Sequence, residues 1–159
     1  MQRLSTPQQL PPIEQIRKVF LLANGALLTL TGIVAGTGDL VAYWTGNGPL
    51  GKHLFNAPYA VSFFEVHGLT AFFGILILTM ARSNPKPAWH IAAAAIHLFS
   101  AIGIAIFWQG AVEWNVASAE ASVAVVDVVL ASAHLLLYTL ARRYAAKGDV
   151  SWHASPHNS

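Results

Sequence analysis

Val19 to Gly38 reads VFLLANGALLTLTGIVAGTG, twenty positions without a formal charge, in which Asn24 and three threonines are the main polar interruptions. A helix rising ~1.5 Å per residue covers about 30 Å in that length, the thickness of a bilayer's hydrocarbon core. Its apolar residues do not keep to one stripe, as they would in a helix lying on a soluble core, so the run reads as a membrane span. It is longer than the apolar part of a signal peptide and follows a polar stretch, Met1 to Lys18, that contains Pro11, Pro12 and Glu14. The reading is a retained anchor.

The rest of the chain repeats this pattern. Hydrophobic residues make up 55% of the sequence and charged ones 10%, far below the ~25% charged residues usual for soluble domains. Thr45-Gly46-Asn47-Gly48-Pro49 breaks the first span, and Arg82-Ser83-Asn84-Pro85-Lys86-Pro87 ends a second one with charge and two prolines. Glu113-Trp114-Asn115 separates the third from the fourth, which Arg142-Arg143 stops. The expected spans are residues 19–44, 59–81, 88–112 and 116–141. Residues 1–18 form an N-terminal segment and residues 145–159 a polar tail with His153 and His157. Backbone groups are satisfied in lipid by helices or closed barrels, and these runs are too long for barrel strands. The expected fold is therefore all-α, an integral-membrane four-helix transmembrane bundle.

Charge placement sets the direction. Arg3, Arg17, Lys18, Arg82, Lys86, Arg142, Arg143 and Lys147 flank one side of the spans and Lys52 alone the other. Eight cations against one place the first side in the cytoplasm, with both termini there and the chain in the inner membrane of a cell. Tyr43, Trp44, Trp108 and Trp114 then form an outer aromatic belt. The cations lie in short flanking clusters, not a basic stripe, so the lipid bilayer is the expected partner and nucleic acid is not. No cysteine occurs, which excludes disulfide, iron–sulfur and thiolate–zinc chemistry. Gly32 and Gly36 form a GxxxG pair suited to close helix contact, within the bundle or with a further copy or a membrane-complex partner.

Function, where it is visible, lies in ionisable residues that the spans carry despite a cost of roughly 2.5–3.5 kcal/mol for a charge at mid-helix. These are Glu65 and His67 on the second span, His97 on the third, and Asp127 and His134 on the fourth. Glu120, Asp127 and His134 are seven apart and share one face, as do His90 and His97 on the third helix. Glu65 and His67 point about 160° apart. Depths counted from the cytoplasmic end of each span give two tiers. Asn24, His97 and His134 lie roughly 9–14 Å deep, and His67, Asp127 and Glu65 roughly 20–24 Å deep. The inner histidines, on separate helices at one depth, have the arrangement of a bis-imidazole haem site, or else serve as hydrogen-bonding glue. The outer tier suits a divalent metal, a proton relay, the polar head of a small apolar ligand such as a quinone, or a buried ion pair. No tier has a spacing that singles out a metal, and no P-loop, nucleophile elbow or HExxH occurs.

The segment Phe63-Phe64-Glu65-Val66-His67-Gly68-Leu69 through Gly74-Ile75-Leu76, closing at Arg82, resembles the second helix of DoxX-like membrane proteins. Those small four-helix proteins also carry a glutamate, a following glycine and an arginine at the helix end. The resemblance implies a setting in redox or quinone-associated membrane complexes and a role for Glu65. The leading expectation is an accessory protein that binds a small hydrophobic ligand or redox cofactor through Glu65, His67, Asp127, His97 and His134. A haem-binding electron carrier and a structural subunit of a membrane complex are the alternatives.

Overall fold

The computed structural model describes residues 12–83 and 85–146. The N-terminal residues up to Pro11 and the tail with His153 and His157 lie outside the described residues. Six helices follow in order: α1 (Pro12–Thr45), α2 (Gly51–Leu54), α3 (Ala60–Ser83), α4 (Ala88–Ile106), α5 (Trp108–Glu113) and α6 (Ala117–Ala146). Four of them, α1, α3, α4 and α6, are long and apolar enough to cross a membrane. The chain is a multi-pass membrane protein with an all-α bundle.

Boundaries differ from the sequence reading chiefly in three places, one of them the end of α6, which continues to Ala146 and not to residue 141. α1 begins at Pro12, a residue whose fixed φ and missing N–H suit the first helical position. Glu14 and Arg17, expected in a polar leader, are therefore helical and buried. The third span ends at Ile106 and not at residue 112, because the backbone turns at Phe107 (φ −96°, ψ 18°) before α5 starts.

The interior is inverted relative to a soluble protein. Among the described residues, the buried hydrophobic side chains larger than alanine are Leu21, Leu28, Leu54 and Ile77, whereas Glu14, Arg17, Asn24, Asp39, His90, His97, Asp127 and His134 are all buried. Large apolar side chains face outward instead, with Phe99 81% and Phe107 75% exposed. A contiguous apolar exterior around a polar interior is stable only in lipid.

The long helices pack mainly as two antiparallel pairs, α1 with α3 and α4 with α6. Glycine sets the first contact. A Cβ on Gly32 would stand 2.4 Å from the Ala71 nitrogen and 2.5 Å from the His67 oxygen, and one on Gly74 would stand 2.4 Å from the Thr29 nitrogen. Gly25 meets Leu78 and Gly74 at 2.9–3.0 Å. The tight seam therefore runs through Gly25 and Gly32, seven residues apart on α1, and Gly74 of α3. Gly36, paired with Gly32 in the GxxxG reading, has its nearest neighbour at 3.5 Å and is in ordinary contact.

The two pairs meet through a small core of Leu21, Leu28, Ile77, Ala81 and Ala93 toward the end where α3 passes into α4. That end carries the cations of the flanking clusters and is here termed the basic end. At the other, loop end, Trp114 stacks on His53 at 5.0 Å and lies 5.6 Å from Phe63, which joins α5 to α2 and α3. Asn56, at φ 51°, turns the chain there while its N–H bonds the Tyr43 carbonyl at 3.1 Å.

Gly32→Ala and Gly74→Ala force backbones apart and are expected to destabilise the protein by about 1–3 kcal/mol. Gly36→Ala is expected to change stability by no more than about 0.5 kcal/mol. Reversible unfolding in mixed micelles measures all three.

Candidate functional site

Two hydrogen bonds set the register of α4 against α6. His90 Nδ1 meets His134 Nδ1 at 2.8 Å, and His97 Nδ1 meets Asp127 Oδ1 at 2.7 Å. On both helices the partners are seven residues apart, so successive bonds fall on one seam about two turns apart. His97 also bonds α1 through Nε2, which lies 2.9 Å from Asn24 Oδ1. Asn24, His97 and Asp127 are all buried, and one imidazole thus joins three helices.

A second layer lies one heptad closer to the basic end. His90 and His134 are both fully buried, with ring centroids 5.1 Å apart. Phe20 of α1 packs edge-on against His134 at 4.8 Å. Arg17, seven residues before Asn24, pairs with Glu14 and donates from Nη2 to the Pro85 carbonyl at 2.7 Å, pinning α1 to the α3–α4 connection. The two layers touch through His97 and His134, whose rings are inclined by 18° with centroids 6.0 Å apart.

A separate dyad lies toward the loop end. His67 Nδ1 of α3 is 2.5 Å from Asp39 Oδ2 of α1. Asp39 is almost wholly buried, while the His67 side chain is 29% exposed. Asp39 also lines a cleft of about 290 Å³ between α1 and α3, walled by Tyr43, Trp44, Pro58, Val61 and Phe64 among others. The site is thus one acidic oxygen-bearing group set in an otherwise apolar and aromatic pocket.

These placements revise the two tiers. His134 is partnered by His90 and not by His97, and Asp127, assigned to the outer tier, bonds His97 of the inner one. The cause is register. In the observed pairing Ala88 stands opposite Leu136, five residues short of Ala141, so depths counted from those two ends were offset by ~8 Å. Glu65, His67 and Asp127 do not form one cluster. His67 is bound to Asp39, Asp127 to His97, and Glu65 is exposed on α3. No group of three or more acidic or histidine side chains that could hold a metal occurs among the described residues. His97 and His134 do come together, but both nitrogens of His97 are engaged by Asp127 and Asn24. As an axial haem ligand it would have to give up one of those bonds, so the residues do not fit a haem as placed.

Two participants were not singled out from the sequence as site residues. Asp39 lies seven residues beyond Gly32 on the buried face of α1, and that spacing was the available signal. His90 shares a face with His97 in the sequence, but its partner is fixed only by the α4–α6 register. Comparison with protein families, curated proteins and solved structures finds no match to this chain.

Removing one member of a buried hydrogen-bonded pair strands the other, at a cost of about 1–3 kcal/mol. His97→Leu is therefore expected to destabilise by that order, and His97→Leu combined with Asp127→Leu to recover part of the loss, Asn24 remaining without its partner. A double-variant cycle in mixed micelles checks this, and simple additivity of the two substitutions would contradict it.

Proposed function

We propose that the protein is an accessory membrane component that binds a small, flat, apolar ligand of the quinone class in the cleft between α1 and α3. The observation that carries this reading is the Asp39 carboxylate, bonded to His67, in the wall of a cleft otherwise lined by aromatic and aliphatic groups. Ligand pockets commonly combine apolar walls with one or two polar groups that orient the ligand. At about 290 Å³ the cleft suits a single substituted ring. Asp39 accepts a hydrogen bond from a ring hydroxyl, as a quinol presents, and Tyr43, Trp44 and Phe64 offer faces against which such a ring stacks. The cleft lies at the edge of the bundle, where an apolar tail can remain in lipid. The likeness of α3 to DoxX-like proteins points toward the same redox setting.

The excess of cations at the basic end supports an orientation in the inner membrane with both termini in the cytoplasm. The cleft then opens toward the outer leaflet. A reporter active only in the cytoplasm, fused after Ser159, is expected to be active.

A short-tailed benzoquinone titrated into the purified full-length protein is expected to quench tryptophan fluorescence saturably. Trp44→Phe should remove most of that quenching. Asp39→Asn should weaken about tenfold the apparent affinity of the corresponding quinol, read by its displacement of the bound quinone, the loss of roughly 1.4 kcal/mol that one charged hydrogen bond contributes. Quenching that rises linearly with quinone and is the same in Trp44→Phe would refute the proposal.

A further inference from the structure

The α4–α6 seam carries more hydrogen-bonding capacity than its packing uses. His90 and His134 are fully buried, and each has an Nε2 with no partner. Asn24 Nδ2, Asp127 Oδ2 and Glu14 Oε1 are likewise buried and unpartnered. Helix association alone does not call for this. Two apolar residues of matched volume would hold the helices without stranding polar atoms, each of which costs about 1–3 kcal/mol when left unsatisfied.

The chemistry of the bonded pairs gives those atoms a use. In the His90–His134 pair one Nδ1–H donates to the other Nδ1, so the donor ring keeps a lone pair at Nε2 and the acceptor ring carries its proton at Nε2. A proton taken up at the first Nε2 moves the shared proton across the 2.8 Å bond, and the second ring releases its own Nε2 proton. One proton enters, one leaves, and the pair stays neutral. His97 lies next, its ring nearly parallel to that of His134 with centroids 6.0 Å apart, and Asp127, bonded to it through Oδ1, keeps an unpartnered Oδ2 as the acceptor for the released proton.

The His97 site is also built to accept either protonation state. Its Nδ1 faces Asp127, so a proton gained by the pair is held between an imidazole and a carboxylate. Its Nε2 faces the amide of Asn24, which offers an oxygen to an N–H or, turned by 180°, an NH2 to a lone pair. Asn24 thus keeps its bond in both states, which neither a carboxylate nor an ammonium group could do.

We propose that Asn24, His90, His97, Asp127 and His134 form a proton-loading column that takes a proton from the basic end and stores it on the His97–Asp127 pair. Glu14 and Arg17 of α1 stand at its entrance, where the α3–α4 connection contributes the Pro85 carbonyl. The column stops in the bundle. The next dyad, Asp39–His67, lies fifteen residues further along α1 from Asn24, or ~22 Å, so protons are exchanged with one side. The column is independent of the quinone reading, since it shares no residue with the cleft.

The test uses full-length protein in liposomes and time-resolved infrared difference spectra after a pH jump. The carboxylate stretch of Asp127, assigned by its loss in Asp127→Asn, is expected to change on acidification. His90→Gln and His134→Gln keep a hydrogen-bonding side chain but cannot relay a proton, and each is expected to slow that change at least tenfold. Should either variant fail to fold by circular dichroism, nitrogen-15 imidazole spectra of the wild-type protein replace it. There, His90 and His134 are expected to interconvert tautomers together and to exchange with bulk water. An Asp127 band that is insensitive to pH, or that changes at the wild-type rate in both variants, overturns the proposal, as do histidines locked in single tautomers without exchange.

Discussion

His97 uses both ring nitrogens, on Asp127 of α6 and Asn24 of α1, and through them one side chain of α4 decides how three helices meet. In water such bonds would compete with solvent and contribute little. Inside a bundle surrounded by lipid there is no such competitor, so a displaced imidazole leaves a carboxylate and an amide without partners. The same constraint explains why the second bond on the seam, His90 to His134, falls seven residues away on both helices. Once α4 and α6 are aligned at His97, the pair one heptad nearer the basic end has no freedom to choose another register.

The other helix pair is held by a different means. Between α1 and α3 the backbones approach so closely at Gly25, Gly32 and Gly74 that a Cβ has no room. Lipid tails are as apolar as leucine, so greasy side chains gain little by meeting each other, and dispersion between closely packed backbones contributes instead. The Asp39–His67 bond lies beyond this seam toward the loop end, where the helices no longer touch through glycine and the cleft opens. Close approach in the middle and separation at the end thus belong to one geometry: the seam that holds α1 against α3 also leaves Asp39 on a pocket wall.

Much of the fold was legible because composition and breakers are one-dimensional signals. Four long apolar runs separated by Gly, Pro and charge require four helices, and the inverted interior follows from them. The seven-residue stripes of His90 with His97 and of Asp127 with His134 were legible too, since they depend on a single helix. Partner choice was not. It depends on the relative height of two helices, and α6 continues as a helix to Ala146 while α4 begins at Ala88, so their ends are not level. An offset of five residues moved Asp127 from the His67 layer to the His97 layer. The pairing of His67 with Asp39 was not legible for a similar reason, because it depends on the height of α3 against α1, which the sequence of neither helix carries alone.

The two histidine–aspartate pairs also differ in a way that separates their roles. His97 and Asp127 are both deeply buried, and the pair touches a chain of further polar atoms leading toward the basic end. His67 is part-exposed, and Asp39 faces a pocket with aromatic walls. A carboxylate–imidazole bond that served only to join helices would be expected in comparable surroundings in both places. Here one lies among further buried histidines, and the other beside an apolar cleft, which is why we assign the two pairs different roles. The common motif therefore fixes each imidazole in position, while the surroundings of the two differ: buried polar groups of three helices at His97, and a cleft with aromatic walls beside Asp39 at the loop end.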